Sequence, residues 1–414
     1  MKVFSFLLCI FFFMYTSPLL QAQTGWFSQT SGTTFELYSV HFENSSTGWT
    51  VGGLGTILKT VNGGTNWIAQ QSGVTSTLNT VYFMDVNTGW AAGYSGALVK
   101  TTNGGTNWVE QTSGVTLPLQ ALWFIDNNTG WAGGAGSLIK TTNGGANWSP
   151  LTIGNLDNVF SLFFINSGTG WFAGYDYQNN EGILKKTVDG GVTWSSQFSS
   201  PTYSFSSVFF RNDNTGWASG TIGIISHTTN GGANWNFQSS GTTASLYAIS
   251  FPDLNTGWAA GVLGKITKTT NGGNNWSIQN SGINYIFRGL WFVDNNTGWA
   301  VGQHGTILKT TTGGDPIGIK PISNEVPAEY SLHQNYPNPF NPSTLIEFDV
   351  PKVSFVKLTV YDILGNEISS LLKEELKAGS YRIKWNASLY TSGVYFYKLV
   401  AEGYTETRKM VFMK

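Results

Sequence analysis

The sequence predicts an all-β protein: a seven-bladed β-propeller whose N-terminal strand closes the last blade, followed by a small antiparallel β-sandwich. Two tryptophan series carry the first part. Thr-Gly-Trp recurs with its tryptophan at positions 49, 90, 131, 171, 217, 258 and 299, mostly 41 residues apart. A second series at 26, 67, 108, 148, 194, 235 and 276 always precedes the first by 23 residues. Few charges (11%) beside 51 glycines and 17 tryptophans suit an all-β chain rich in tight turns.

The repeat resolves into four short strands. In the second unit these are expected at 78–83, 90–93, 97–101 and 107–111. Four strands at this period make one propeller blade, buried on both faces by its neighbours. That burial explains runs of Phe, Trp and small residues in place of clean alternation. A phenylalanine ends the first strand of every unit: Phe42, Phe83, Phe124, Phe164, Phe210, Phe251 and Phe292. Asp or Asn follows two positions later, as at Asn44, Asp85 and Asp126, and is read as a turn cap. The seventh unit stops near Asp315 without its last strand. Trp26-Phe27-Ser28-Gln29-Thr30-Ser31-Gly32 parallels Trp108-Val109-Glu110-Gln111-Thr112-Ser113-Gly114, so the N-terminal strand is expected to supply it.

Both ends carry export features. A single early Lys2 followed by an apolar run reads as a signal peptide over residues 1–22, cleaved after Ala22. Cys9, the only cysteine, lies inside it, so the mature chain is expected to have no disulfide or thiol chemistry. No other stretch is apolar enough for a membrane-spanning helix. A formal net charge of −1 gives no footprint for nucleic acid.

Thr60-Val61-Asn62-Gly63-Gly64-Thr65-Asn66-Trp67 resembles the Asp-box, or BNR repeat, and Thr187-Val188-Asp189-Gly190-Gly191-Val192-Thr193-Trp194 matches it with Asp. The resemblance implies a structural turn rather than a catalytic group. Combined with Thr-Gly-Trp-Ala-x-Gly, it is similar to the photosystem II assembly/stability factor propellers over residues 23–314. An arginine patch for a photosystem subunit is not carried over, because this propeller holds only Arg211 and Arg288.

Residues 315–329 read as a linker. Beyond it, Leu332-His333-Gln334-Asn335-Tyr336-Pro337-Asn338-Pro339-Phe340-Asn341-Pro342, Ser392-Gly393-Val394-Tyr395 and the closing Lys409-Met410-Val411-Phe412-Met413-Lys414 resemble the C-terminal sorting domain of type IX secretion cargo, over residues 330–414. Strands are expected at 356–361, 381–385, 394–400 and 408–413. The resemblance implies the type IX machinery and its sortase as partners. It also implies passage through the periplasm to the outer-membrane surface or the extracellular space.

Chemistry is sparse. His41, His227, His304 and His333 are scattered without cysteine, so no metal, cofactor or catalytic residue is assigned. Two propeller arginines cannot form the arginine triad of sialidases. A glycosidase pair among Glu36, Glu43, Glu110, Asp157, Asp176, Glu181 and Asp213 is open, with nothing to select one. The repeat fails most in blade four, where residues 175–181 are inserted between the second and third strands. This loop is expected on the same face as the blade-to-blade connections, where Glu36, Tyr38, Tyr203, Tyr247, Tyr285 and Arg288 are placed. The candidate ligand-binding set is therefore Tyr175, Asp176, Tyr177, Glu181, Tyr203, Tyr247, Tyr285 and Arg288, suited to an extracellular peptide or glycan. The expected function is a non-enzymatic binding or scaffold propeller. The alternatives are a glycoside hydrolase resembling Asp-box xyloglucanases and a structural adhesion component.

Overall fold

The computed structural model describes residues 25–153, 157–315, 320–323, 326–387 and 390–414. The expected signal peptide lies outside them. The chain divides into two compact units with the boundary near residue 317.

The larger unit holds seven four-stranded antiparallel sheets among its described residues. Blades 1 to 6 occupy residues 37–70, 78–110, 119–151, 157–200, 205–239 and 246–279, each with its strands in sequence order. Blade 7 takes three strands from residues 287–314 and its fourth from Gly25–Gln29, which runs antiparallel to Ile307–Gly314. The N-terminal strand thus completes the last blade, as its sequence parallel to residues 108–114 predicts. In blade 2 the fourth strand is only Val109–Glu110. The residues before it are spent on the turn, where the Asn107 amide donates to Asn103 Oδ1 at 2.9 Å.

The two tryptophan series lock neighbouring blades together. Phe83 stacks on Trp49 of the preceding blade, ring centroids 3.5 Å apart, and meets Trp108 of its own blade edge-on at 5.8 Å. Trp49 Nε1 donates to Gly104 O in the next blade's Asp-box at 3.2 Å. The same set recurs to the end of the ring, where Trp299 stacks on Phe42 at 3.4 Å and donates to Gly63 O at 3.3 Å. Each aromatic pair adds roughly 0.5–1.5 kcal/mol beyond the area it buries. A cation covers the outer face of the second-strand tryptophan: Lys59, Lys100, Lys140, Lys186, Lys268 and Lys309 lie 5.0–5.4 Å from the ring centroids. In blade 5, His227 takes that place, stacked at 5.0 Å on Trp217.

The turns sort onto two faces. The Asp-box glycine donates its amide to the first turn of its own blade, as Gly63 does to Ser46 O at 2.7 Å. The loop between second and third strands bonds instead to the incoming connection, as Gly53 does to Glu36 O at 2.9 Å. The turn-position Asp and Asn residues cap as expected. Asp85 Oδ1 accepts from the amides of Asn87 and Thr88 at 2.7 and 2.9 Å.

Among its described residues the smaller unit holds two four-stranded sheets. One contains Ser331–Leu332, Ser343–Val350 and Gly379–Asn386, with Lys320–Ser323 added at its edge from the segment read as linker. The other contains Ser354–Tyr361, Glu367–Leu376, Gly393–Ala401 and Tyr404–Phe412. Ser343–Val350 alternates strictly, burying Ile346, Phe348 and Val350. Buried Asn335 donates from Nδ2 to Thr344 Oγ1 at 2.9 Å, and its amide to the Tyr397 hydroxyl at 2.8 Å, fixing the start of the proline-rich segment.

Candidate functional site

The eight residues expected at a binding rim fall into four places. Tyr247 and Arg288 meet at an entrance to the central channel. They stand on the innermost strands Leu246–Ser250 and Phe287–Phe292, as Tyr38 does on Leu37–Phe42, and not in the connections where the sequence placed them. The strands begin one residue before each of them, and all three line the same cavity at the innermost strands. Arg288 lies 5.0 Å over the Tyr247 ring and 5.8 Å over Tyr38, and its Nε donates to Glu36 Oε1 at 2.8 Å. Tyr38 OH donates to Glu36 Oε2 at 3.1 Å. Burial, then the adjacent Glu36 carboxylate, pushes the Tyr38 phenol up.

Tyr175, Asp176, Tyr177 and Glu181 form the tip of the blade-4 hairpin. Asp176 and Glu181 pair across it, and the turn between them places Asn180 at φ 58°. Asp176 Oδ1 accepts from the Gln178 amide at 2.8 Å, and its Oδ2 from Asn179 Nδ2 at 2.8 Å. Tyr175 OH donates to Asn180 Oδ1 at 2.6 Å and packs at 5.0 Å against Tyr177, which is 58% exposed. Below this tip, buried Asp157 pairs with Lys185. Tyr203 belongs to a separate patch with Phe237, 5.4 Å away. Tyr285 sits against His304 at 4.9 Å.

The sequence reading missed the other end of the channel. The residue before each recurrent phenylalanine is His41, Tyr82, Trp123, Phe163, Phe209, Ser250 or Trp291, a column already visible in the repeat. In space these form an arc. Centroid separations are 4.3 Å for Trp291–His41, 5.0 Å for His41–Tyr82, 5.0 Å for Tyr82–Trp123, 4.4 Å for Trp123–Phe163 and 5.2 Å for Phe163–Phe209. The arc lines a cavity of about 590 Å³ on the Asp-box face, which Glu43 and Arg211 also border. Trp123 Nε1 donates to Phe164 O and Trp291 Nε1 to Phe42 O, each at 2.8 Å, so both indoles are held in place. His41 is buried with Nδ1 unpartnered, and burial lowers its pKa against the opposing pull of Glu43.

The model of the photosynthesis system II assembly factor YCF48 family matches residues 20–122, 146–240 and 233–336, more than half of the chain. The chain belongs to the YCF48 family. A secretion system C-terminal sorting domain matches residues 334–413. Solved YCF48 structures share the propeller. One bound to a D1 peptide is 21% identical with a TM-score of 0.59, covering 72% of this chain and 99% of its own. That from Cyanidioschyzon merolae is 20% identical with a TM-score of 0.57, covering 69% and 98%. PorZ, a surface component of the type IX secretion system of Porphyromonas gingivalis, is 13% identical with a TM-score of 0.55, covering 93% of this chain and 60% of its own. No curated protein matches the sequence.

Proposed function

We propose that this YCF48-type propeller is a binding or scaffold module for an extracellular peptide or glycan, exported to the cell surface or beyond through its sorting domain. The observation that carries the binding reading is Arg288, held between the Tyr38 and Tyr247 rings over Glu36 at the channel entrance. A guanidinium fixed by stacking and one carboxylate keeps donors for a ligand carbonyl or carboxylate. The blade-4 hairpin supplies an exposed tyrosine on the same face. The YCF48 structure that holds a D1 peptide supports a peptide as ligand.

Three acids on this face, Glu36, Asp157 and Asp176, have structural work. Glu36 serves Arg288 and Tyr38, Asp157 serves Lys185, and Asp176 caps its own turn. A hydrolase needs two carboxylates free to act across a cleft. These commitments favour binding.

Peptide and glycan arrays probed with the exported protein test the reading. Arg288→Gln, and separately the pair Asp176→Ala with Tyr177→Ala, are expected to weaken the strongest hit about tenfold, the loss typical of a binding hot spot. Unchanged binding in both variants would remove this face from the site. Residues 330–414 fused to a reporter that carries its own signal peptide are expected to send it outside a cell that has type IX secretion and leave it in the periplasm of one that lacks it.

A further inference from the structure

We propose a second site, on the opposite face from the Arg288 entrance: the aromatic mouth of the central channel binds an organic cation, an alkylammonium group. It stands independently of the binding reading above.

The cavity has the volume of a small-ligand pocket, within the roughly 300–1,000 Å³ usual for such sites. Its wall is aromatic on six of seven blades and opens only at Ser250. Aromatic faces attract cations, and best when water is excluded. Hydrogen bonds fix Trp123 and Trp291, so the wall is organised before any ligand arrives.

Charge around the mouth selects the sign of the ligand. The seven first turns hold six carboxylates (Glu43, Asp85, Asp126, Asp213, Asp253 and Asp294) against one guanidinium, Arg211; of these charges Glu43 and Arg211 line the cavity itself, and the others stand on the same turns beyond its wall. Asp253 lies in the field of Arg211 and offsets it. Burial opposes the ionisation of Asp126, but amide donation from Asn128 and Thr129 outweighs it and keeps that carboxyl below its usual range. The propeller's Asp-box lysines stand on the third strands, and six of them lie over tryptophan rings, away from the mouth. His41 is 4% exposed, lines the cavity, and has its Nδ1 unpartnered. An imidazole kept neutral by burial adds a polar edge without repelling a cation.

Calorimetric titration of the full secreted protein decides the matter. Choline is the free cation, and its uncharged isostere 3,3-dimethylbutanol controls for apolar binding. Nα-acetyl-lysine amide against Nα-acetyl-norleucine amide asks whether a peptide side chain can be the source. At least one cation is expected to bind while its neutral partner does not. Preference for choline points to a free small alkylammonium, and preference for the lysine amide to a basic peptide. Glu43→Gln is expected to weaken binding about three- to fivefold, as for one partly exposed charge. Phe209→Leu, which removes one wall ring and donates no hydrogen bond, is expected to weaken it as well. Equal binding of the neutral isosteres, no binding of either cation, or an unmoved affinity in both variants would overturn the proposal.

Discussion

Each second-strand tryptophan is preceded by glycine because a β-carbon there would overlap the phenylalanine ring of the same blade. At Gly89 the overlap is with Phe83, which is also stacked on Trp49. Gly89→Ala is expected to cost roughly 1–3 kcal/mol, the usual range for overpacking, seen as a lower denaturant midpoint. An unchanged midpoint would mean that Phe83 can leave its stack freely. His227 offers a different test. It replaces the repeat's lysine over Trp217, is half-buried, and has Nε2 unpartnered. Burial lowers its pKa from the ordinary 6.5, and burial does the same to His41. The folded state therefore binds fewer protons than the unfolded one. Stability is complete above about pH 6.5 and falls as the pH drops through the unfolded value toward the folded ones. Asp157 has the opposite sign, since burial raises its carboxyl and protonation relieves a cost. Between pH 7 and 5.5 the melting temperature is expected to fall, and to fall less in His227→Lys, which restores the residue found in the other blades. Equal slopes in both proteins would show that His227 does not set the acid sensitivity.

At the scale of the element, the N-terminal strand does more than add a fourth edge. Trp26 meets Phe292 edge-on at 5.8 Å and donates to Gln279 Oε1 at 3.1 Å. Gln29 on the same strand donates from Nε2 to Gly63 O in blade 1 at 3.0 Å. One five-residue strand therefore joins the last blade to the sixth and to the first. Trp26→Ala is expected to cost about 3–5 kcal/mol, the range for removing a buried large aromatic. Its loss should exceed that of Trp67→Ala, whose indole is only partly buried. Similar losses at both positions would show that closure adds nothing beyond ordinary packing. The strand, the caps and the split seventh repeat were legible because they are written as residue identities at fixed spacing. The glutamine clasp was equally written and went unread: Gln stands three residues after the second-series tryptophan in six repeats, with Leu151 in the other. For Gln29, Gln238 and Gln279 the partner is an Asp-box carbonyl one blade away, and repeat spacing within a chain does not show contacts between repeats. The same reason hid the aromatic arc, whose members are some forty residues apart and touch only once the ring closes. The Arg288 cluster was half legible: its residues were named, but their places on the innermost strands depend on where each strand begins.

For the whole molecule, the two units differ in what makes them cooperative. The propeller is a ring in which every blade stacks on the next, so one weak blade loosens two interfaces and the whole ring is expected to melt together. The smaller unit has its own core, built around Phe348, Val360, Leu399 and Met410, all fully buried. It also has its own polar anchor at Asn335. Each unit is compact by itself. Calorimetry of the full chain is therefore expected to resolve two transitions. Gly89→Ala should move only the propeller's transition. Phe348→Ala should move only the other, lowering its stability by about 3–5 kcal/mol. A single transition that both variants shift together would mean that the sorting domain and the propeller fold as one body. The YCF48-type ring would then depend on a domain whose family role is export.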